Sequence, residues 1–581
     1  MAVLSSVIAR VLIPLVVLFA NHAFAAYNSL WSPSQSGELV GYSRVIQLQH
    51  AGDANGKLLA TFEHTQGGGS PSNYIIQEST DNGTTWDTLK KVVASDNQAP
   101  HYYQPFLFEF PQQLGKYAEG TILLVGNLVN DTVSAFYSWR STDHGQTWDE
   151  IGLWQQGWPG SNVNISHGIW EPFLFLDSQS NIVAVFSDER ENANKSQKLV
   201  QVVSKDGGDN WEKPQDVVVG SEQTFRPGMA TVAKMGNGEY FMSYEWCDTR
   251  HYATTCPVHG KTSKDGVTWD ASDEGVLVSS PDNVAAYDSP YSIWDPVGKQ
   301  LIVSSMAKRR PSNDPYYNMP PLLLEDRHTV HINLEYGSGN WHWASAPWYA
   351  PSSENCTSNY SPNLLQLPNG TILYSARTAA AQIKNEPCEE STGAAAIGIL
   401  PYKSDFSVTG DAGWIDFDQI WSVSGGQYTF PQPGSDQGTI VLTGSSGWTD
   451  YEVSADVNIT SSSGVVGLLA RATHLDNAPS GITRYTAAID SNRGDFTLYK
   501  VDDKGSTTLT SKSVSGGIKV NQKYPVSLSV KSATLFATVI GDGGVKTNLS
   551  VTDDGLGRGM AGLFGSYGSG GFSNVQIQSA A

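Results

Sequence analysis

Charge is scarce in this 581-residue chain, and positive charge is scarcer still. Only 16% of residues are charged, and 36 Lys and Arg face 57 Asp and Glu, for a formal net charge of −21. That balance argues against a nucleic-acid or anionic-membrane partner. It also weighs against a polyanionic substrate unless a local basic pocket offsets the field. Beyond the first 26 residues no apolar run is long enough to span a bilayer. There are four cysteines and no C-x-x-C pair, which removes the usual thiolate metal motif. No compact set of oxygen ligands for a hard cation is visible either, so neither a metal nor a cofactor is expected. A Pro-rich linker is also missing. What remains is a chain with 39% hydrophobic residues, enough for globular packing. It is too long for one core, so two or more domains are expected.

Residues 1–25 read as a secretory signal. Arg10 is the positive residue, Val11 to Ala20 is the apolar stretch, and Ala23-Phe24-Ala25 is an A-x-A cleavage site. A secreted, extracellular protein is expected. The even cysteine count then favours disulfides. Cys247, Cys256, Cys356 and Cys388 allow three pairings, and proximity favours 247–256 with 356–388. N-x-Ser/Thr sequons at Asn82, Asn130, Asn164, Asn194, Asn355, Asn359, Asn369, Asn458 and Asn548 suit a glycoprotein.

The motif Ser-x-Asp-x-Gly-x-x-Trp recurs at Ser79–Trp86, Ser141–Trp148 and Ser204–Trp211, and one residue shorter at Ser263–Trp269. The copies start 62, 63 and 59 residues apart. Asp and Gly suit a tight turn and Trp plugs the space beneath it, so Asp81, Asp143, Asp206 and Asp265 read as structural. Between these copies runs a longer repeat of an apolar strand, a turn and a second strand. Its six instances begin near Tyr42, Tyr103, Trp170, Phe225, Asp288 and Asn359. Six four-stranded units in residues 26–402 predict a six-bladed β-propeller, ahead of a solenoid, whose repeats are usually shorter. From residue 403 the motif stops. Residues 403–581 alternate polar and apolar positions in runs such as Tyr451–Ile459, and predict an all-β jelly-roll sandwich packed directly on the propeller.

In a propeller the inner strands converge on one funnel. Aligned on their proline, the inner segments place Gln104, Glu171, Arg226, Ser289 and Ser361 at equivalent positions, with Arg44 nearly so in the first blade. Polar residues at the mouths of apolar strands point to a polar ligand. Two carboxylates stand out, Glu171 beside Trp170 and Glu245 beside Trp246. An adjacent indole can desolvate a carboxyl and raise its pKa. A paired acid and nucleophile is what glycosidic cleavage requires. The blander reading is two salt-bridged glutamates at blade edges. Arg44, Gln104, Arg226 and Asp288, with Trp170 and Trp246, are the candidate sugar contacts, and each polar one also suits blade-to-blade hydrogen bonding. His101 and His167 precede inner strands. The clusters Pro315-Tyr316-Tyr317 and Trp341-His342-Trp343, and Trp448 and Tyr451, are aromatic surfaces or core.

The four turn motifs are the Asp boxes of sialidase-like propellers, and the Asn359–Tyr374 segment, with Tyr360, looks like the one carrying the sialidase nucleophile. Arg44 is followed by Val45, however, where sialidases have Ile-Pro. Over residues 27–402 the chain more closely resembles glycoside hydrolase family 93, the fungal exo-α-1,5-L-arabinanases, through Trp170-Glu171-Pro172, Tyr244-Glu245-Trp246 and the Tyr360 segment. The resemblance implies a retaining exo-enzyme that releases arabinobiose from arabinan. It implies Glu171 as nucleophile, Glu245 as acid/base and Tyr360 as hydrogen-bonding partner of the nucleophile or the ring. A retaining pair would stand ~5–5.5 Å apart, against ~6.5–9.5 Å for inversion. The C-terminal region resembles concanavalin-like and laminin-G-like modules of secreted carbohydrate enzymes, which implies a carbohydrate-binding module. A monomer is expected. The rival expectations are a sialidase, which needs three arginines meeting in the pocket, and a non-catalytic lectin, which needs the two glutamates apart.

Overall fold

The computed structural model describes residues 27–34, 37–65, 72–95, 101–158, 166–251, 256–309, 329–352, 356–379, 388–433, 438–473 and 481–580. The signal segment, Asn164, Asn355 and the Pro315–Tyr317 cluster lie outside them. No helix among the described residues is long and apolar enough to cross a membrane.

Six antiparallel four-stranded sheets form the propeller. Blade one runs Leu39–Gln47, Leu58–Thr65, Asn73–Ser79 and Asp87–Val92. The inner strands of blades two to six are His101–Glu109, Ile169–Leu176, Phe225–Lys234, Tyr291–Asp295 and Asn363–Gln366. The second strands of blades two, three and five, Ile122–Val129, Ile182–Asp188 and Gln300–Ser304, are buried along their whole length, as expected of strands covered on both faces. Blade six takes its outermost strand from the other end of the chain. Asn28–Trp31 pairs with Cys388–Ala395 and closes the ring.

The repeated turn folds as its residues dictate. In the first copy the Ser79 hydroxyl accepts from the Gly83 amide at 2.9 Å, the Asp81 carboxylate accepts from the Thr85 amide at 2.9 Å, and the Trp86 indole donates to the Gly83 carbonyl at 3.1 Å. The other three copies repeat the Ser–Gly and Asp bonds. Blade five carries a version without Ser or Asp. There the Asn333 side chain accepts from the Glu335 and Gly337 amides at 2.8 Å each, and Trp341 is the buried plug.

The C-terminal region is a sandwich of an eight-stranded and a seven-stranded sheet. Tyr451–Ile459 alternates strictly between buried and half-buried positions, the period-2 pattern of a strand with one face on a core. The sandwich packs directly on blade five. Trp343 and Ser446 exchange hydrogen bonds, and Asp282 accepts from the Trp343 indole at 3.1 Å and from Arg558. Trp343 is therefore junction core and Trp341 blade core. Trp448 and Tyr451 are also buried, donating to the carbonyls of Gly398 and Met560. None of the four is a sugar platform.

Candidate active site

Each blade's inner segment places a non-glycine residue with a positive φ two positions before the floor residue: Tyr42 (59°), Gln104 (52°), Glu171 (56°), Met229 (53°), Ser289 (46°) and Ser361 (49°), with Asp288 (60°) and Asn359 (61°) as second such residues in blades five and six. In blades one to four the ladder slips at this residue, as at Trp170/Phe173 and Gly228/Thr231. This is the left-handed residue of a bulge, which turns a side chain out of the pleat toward the axis. The ring of bulges corrects the proline-based alignment at two blades. In blade four the proline precedes the bulge by two, so Met229 takes the place assigned to Arg226. In blade one Tyr42 takes the place assigned to Arg44.

Two residues past each bulge come Arg44, Phe106, Phe173, Thr231, Tyr291 and Asn363, the layer that plugs the channel below. Phe106 packs on Phe173 at 4.6 Å and Phe173 on Tyr291 at 5.9 Å. Arg44 is buried there, its guanidinium 4.0 Å from the Tyr42 ring centre and 5.2 Å from that of Tyr291. It donates to the carbonyls of Ser43 and Ser361 and to the Ser361 hydroxyl. Arg44 thus fills the floor, and its donors are spent on the protein.

Above this floor sit the two predicted carboxylates. Glu171 rises from its bulge with its amide donating to Gln104 Oε1 at 3.0 Å, while Gln104 Nε2 donates to Glu171 Oε1 at 3.3 Å. Among the described residues its other oxygen is buried without a hydrogen-bond partner. Burial pushes its pKa up to about 7, with the Glu189 charge adding to the rise; Ser187, Arg226 and the Met229 amide pull the other way. Glu245 lies across the ladder from Gly228. Its carboxylate accepts from the Ser289 amide at 3.1 Å. Burial, then the charge of Asp288, push it up to about 8, and the charge of Glu171 adds to that. Gly228 lets Gln197 and Glu245 approach the inner strand closely: a Cβ there would lie 2.5 Å from Gln197 Nε2 and 3.4 Å from both Glu245 Oε1 and Ser187 Oγ.

Tyr360 sits beside this pair. Burial raises its phenol well above the ordinary tyrosine value, and the charges of Glu171, Glu245 and Glu63 raise it further. The hydroxyl is therefore held neutral, as a hydrogen-bonding group. Arg377 lies 5.8 Å from the Tyr360 ring centre and donates to the Thr357 carbonyl.

The desolvation comes from depth in the funnel more than from the neighbouring indoles. Trp170 donates to Glu189 at 3.0 Å, and Trp246 packs on Phe225 and stacks on His259 at 5.5 Å. Arg226 is paired with Glu189 and donates to Gln197 and Ser196. Asp288 accepts from the Cys256 amide at 3.1 Å and stands near Glu245. Among the described residues, Arg44, Arg226 and Arg377 are each engaged with protein groups and do not form the arginine trio of a carboxylate clamp.

Four funnel residues escaped the sequence reading. Glu63 accepts from the Gln104 amide at 2.9 Å and is pushed by burial to about 7. Glu390 is fully buried, among the described residues its oxygens meet no hydrogen-bond partner within bonding geometry, and burial pushes it to about 7, with Ser43 and the Arg377 charge pulling the other way. Tyr42 and Arg377 are the others. Glu63, Glu245 and Arg377 each follow an apolar residue at the end of a second strand (Phe62-Glu63, Tyr244-Glu245, Ala376-Arg377), and that shared position was the available signal. Beside the funnel a cavity of about 230 Å³ is lined by Glu63, Arg377, His101 and Tyr103 among others. His101 and Tyr103 stack there at 5.3 Å. His167 instead stacks on Trp158 at 5.9 Å.

The disulfides are Cys247–Cys256 and Cys356–Cys388. Among the described residues, the one grouping of metal-donor atoms joins Glu245 to Cys247 and Cys256, and both sulfurs are spent in the disulfide. One sequon is overturned. Asn359 is 1% exposed, donates to the Ser305 carbonyl and accepts from Tyr374, so it cannot carry a glycan in the folded protein. Asn82, Asn194, Asn369 and Asn548 are exposed, and Asn130 and Asn458 half-buried.

A family model for the BNR repeat-like domain matches residues 50–289. No curated protein matches the chain. Among solved structures, the chain is similar to an α-L-arabinanase of Penicillium chrysogenum complexed with arabinobiose, at 27% identity, covering 63% of this chain and 97% of that one, with a TM-score of 0.53. It is also similar to a GH93 α-L-arabinofuranosidase of Fusarium graminearum, again with arabinobiose, at 25% identity, covering 64% and 97%, with a TM-score of 0.53. The resemblance read from the Glu171, Glu245 and Tyr360 segments is thereby matched in fold and in sequence across the propeller.

Proposed function

We propose that this propeller, like those of the arabinanase and arabinofuranosidase it resembles, belongs to a glycoside hydrolase that degrades arabinan. In this reading the protein is secreted and monomeric, and it cuts α-1,5-linked L-arabinan from chain ends with retention, releasing arabinobiose. No cofactor takes part. One observation carries the proposal: Glu171 and Glu245 face one funnel, desolvation raises both, the charge of Glu171 raises Glu245 further, and both charges act on Tyr360.

Two carboxyls so placed hold one proton between them near neutrality. Glu245, raised further and flanked by Asp288, keeps it and acts as the acid. Glu171, eased by Ser187, Arg226 and the Met229 amide, is the carboxylate. Glu245 protonates the leaving oxygen as Glu171 attacks the anomeric carbon, forming a glycosyl ester. Glu245 then takes a proton from water as that water displaces Glu171 and restores the starting state. Tyr360, held neutral, donates a hydrogen bond to Glu171 or to the ring oxygen.

The test is hydrolysis of linear arabinan followed by NMR. Retention at the anomeric centre and arabinobiose as the early product are expected. Initial inversion would remove the covalent step, and early products of mixed length would remove the exo mode. Release of sialic acid from a sialyl substrate, with no action on arabinan, would overturn the reading.

A further inference from the structure

The sandwich carries a second cleft, remote from the chemistry of the funnel. It has a volume of about 730 Å³ and is lined by residues of the seven-stranded sheet. Arg484, on the strand Thr483–Asp490, lines it and is only 6% exposed. One guanidinium nitrogen donates to the Ile482 carbonyl at 2.8 Å, and the group lies 5.6 Å from the Phe564 ring centre. Among the described residues its Nε has no hydrogen-bond partner, and no carboxylate is paired with it. A buried guanidinium lacking an anion is costly, and removal from water disfavours its charge.

The rest of the cleft shows what would compensate. Arg493 lies at the rim, 63% exposed and paired with Asp490 at 2.8 Å. Two guanidinium groups therefore face one carboxylate, a local positive excess in a chain of net charge −21. This is the basic pocket that could offset the overall field for an anionic ligand. Tyr499 and Tyr567 add aromatic surface, and Tyr567 is 54% exposed at the rim. An exposed ring beside a planar cation suits a sugar, whose C–H face stacks on the ring while a substituent meets the guanidinium.

We propose that this cleft binds a saccharide unit bearing a carboxylate, a uronate, with Arg484 taking the carboxylate and Tyr567 supporting the sugar ring. A neutral sugar would leave the Arg484 charge uncompensated. The site would hold the enzyme on an acidic glycan while the funnel works on a neutral one.

The experiment is calorimetric titration of the full chain with three probes: a galacturonate trisaccharide, a glucuronate-bearing oligosaccharide and a neutral arabinotriose. Saturable binding of at least one uronate probe is expected, weakened several-fold between 50 and 300 mM salt, at least tenfold by Arg484→Met and several-fold by Tyr567→Ala. Tyr567 is exposed, so its variant serves even if Arg484→Met fails to fold. The relative affinity of the two uronate probes shows which acid is preferred. The proposal is overturned if neither uronate binds, if binding survives both substitutions, or if arabinotriose binds as tightly and loses that binding in Tyr567→Ala.

Discussion

The propeller has two populations of carboxylates, and their environments are opposite. At the rim, Asp81 is exposed and Asp143, Asp206 and Asp265 are half-buried in their turns, where backbone amides and side-chain donors satisfy them. Despite some desolvation, those hydrogen bonds hold their pKa values low, Asp265 at about 2. In the funnel, Glu390 is buried and Glu63, Glu171 and Glu245 are half-buried, and desolvation pushes all four up to between about 7 and about 8. Among the described residues, Glu171 and Glu390 keep oxygens with no partner. The side-chain chemistry is the same in both places. Satisfied carboxylates build the turn, and under-satisfied ones are left available for a ligand.

The largest expected effect separates the two populations outright. Glu171→Gln and Glu245→Gln should each lower kcat on arabinan by roughly 10²–10⁴ with no fall in melting temperature. Full activity in either would remove that residue from the mechanism. The comparison sharpens on an aryl arabinoside with a good leaving group. Glu245→Gln should recover activity there because bond cleavage no longer needs the acid, while Glu171→Gln should not. Next in size, Tyr360→Phe should cost roughly ten- to a hundredfold in kcat, about 1.4–2.7 kcal/mol of transition-state stabilisation, with little change in stability. An unchanged rate would make Tyr360 a packing residue.

At the rim the signature reverses. Asp81→Ala should leave kcat/KM alone and cost roughly 1–2 kcal/mol of stability, as loss of a cap-type hydrogen bond does, read by chemical denaturation. A selective loss of activity would blur the distinction. The smallest effect is a matter of pH. Glu390 is protonated more readily folded than unfolded, so the fold loses stability as pH rises from about 4.5 through about 7. Glu390→Gln should therefore leave the melting temperature unchanged near pH 4 and raise it by a few degrees at pH 8.5. A fall at both pH values would show that this carboxyl is structurally required.

The blades were legible because each inner strand repeats an apolar run, and four outer turns repeat Ser, Asp, Gly and Trp. Blade five's turn escaped because Asn333 does the work of both Ser and Asp. The catalytic pair was legible from its motifs and its resemblance. Glu63 and Glu390 were not, because their depth depends on which residue of a second or third strand lies opposite a bulge. A bulge is a backbone event marked by positive φ rather than by a residue type. Proline directly follows the bulge residue in four blades, stands two residues before it in blade four, and is missing in blade one. That is why Arg226 and Arg44 were set one level away from their true positions. The Asn28–Trp31 strand was missed because no local pattern announces a partner some 360 residues away.

That strand has a consequence for biosynthesis. The segment that closes the ring is the first of the described chain to be synthesised, and its partner, Cys388–Ala395, is among the last parts of the propeller to appear. Asn28–Trp31 must stay unpaired while five blades form behind it, and the ring gains its circumferential continuity in a single late event. Contacts this distant in sequence close slowly. The nascent propeller is thus an open arc with two raw sheet edges, and edge-to-edge association between copies is the hazard it must outlast.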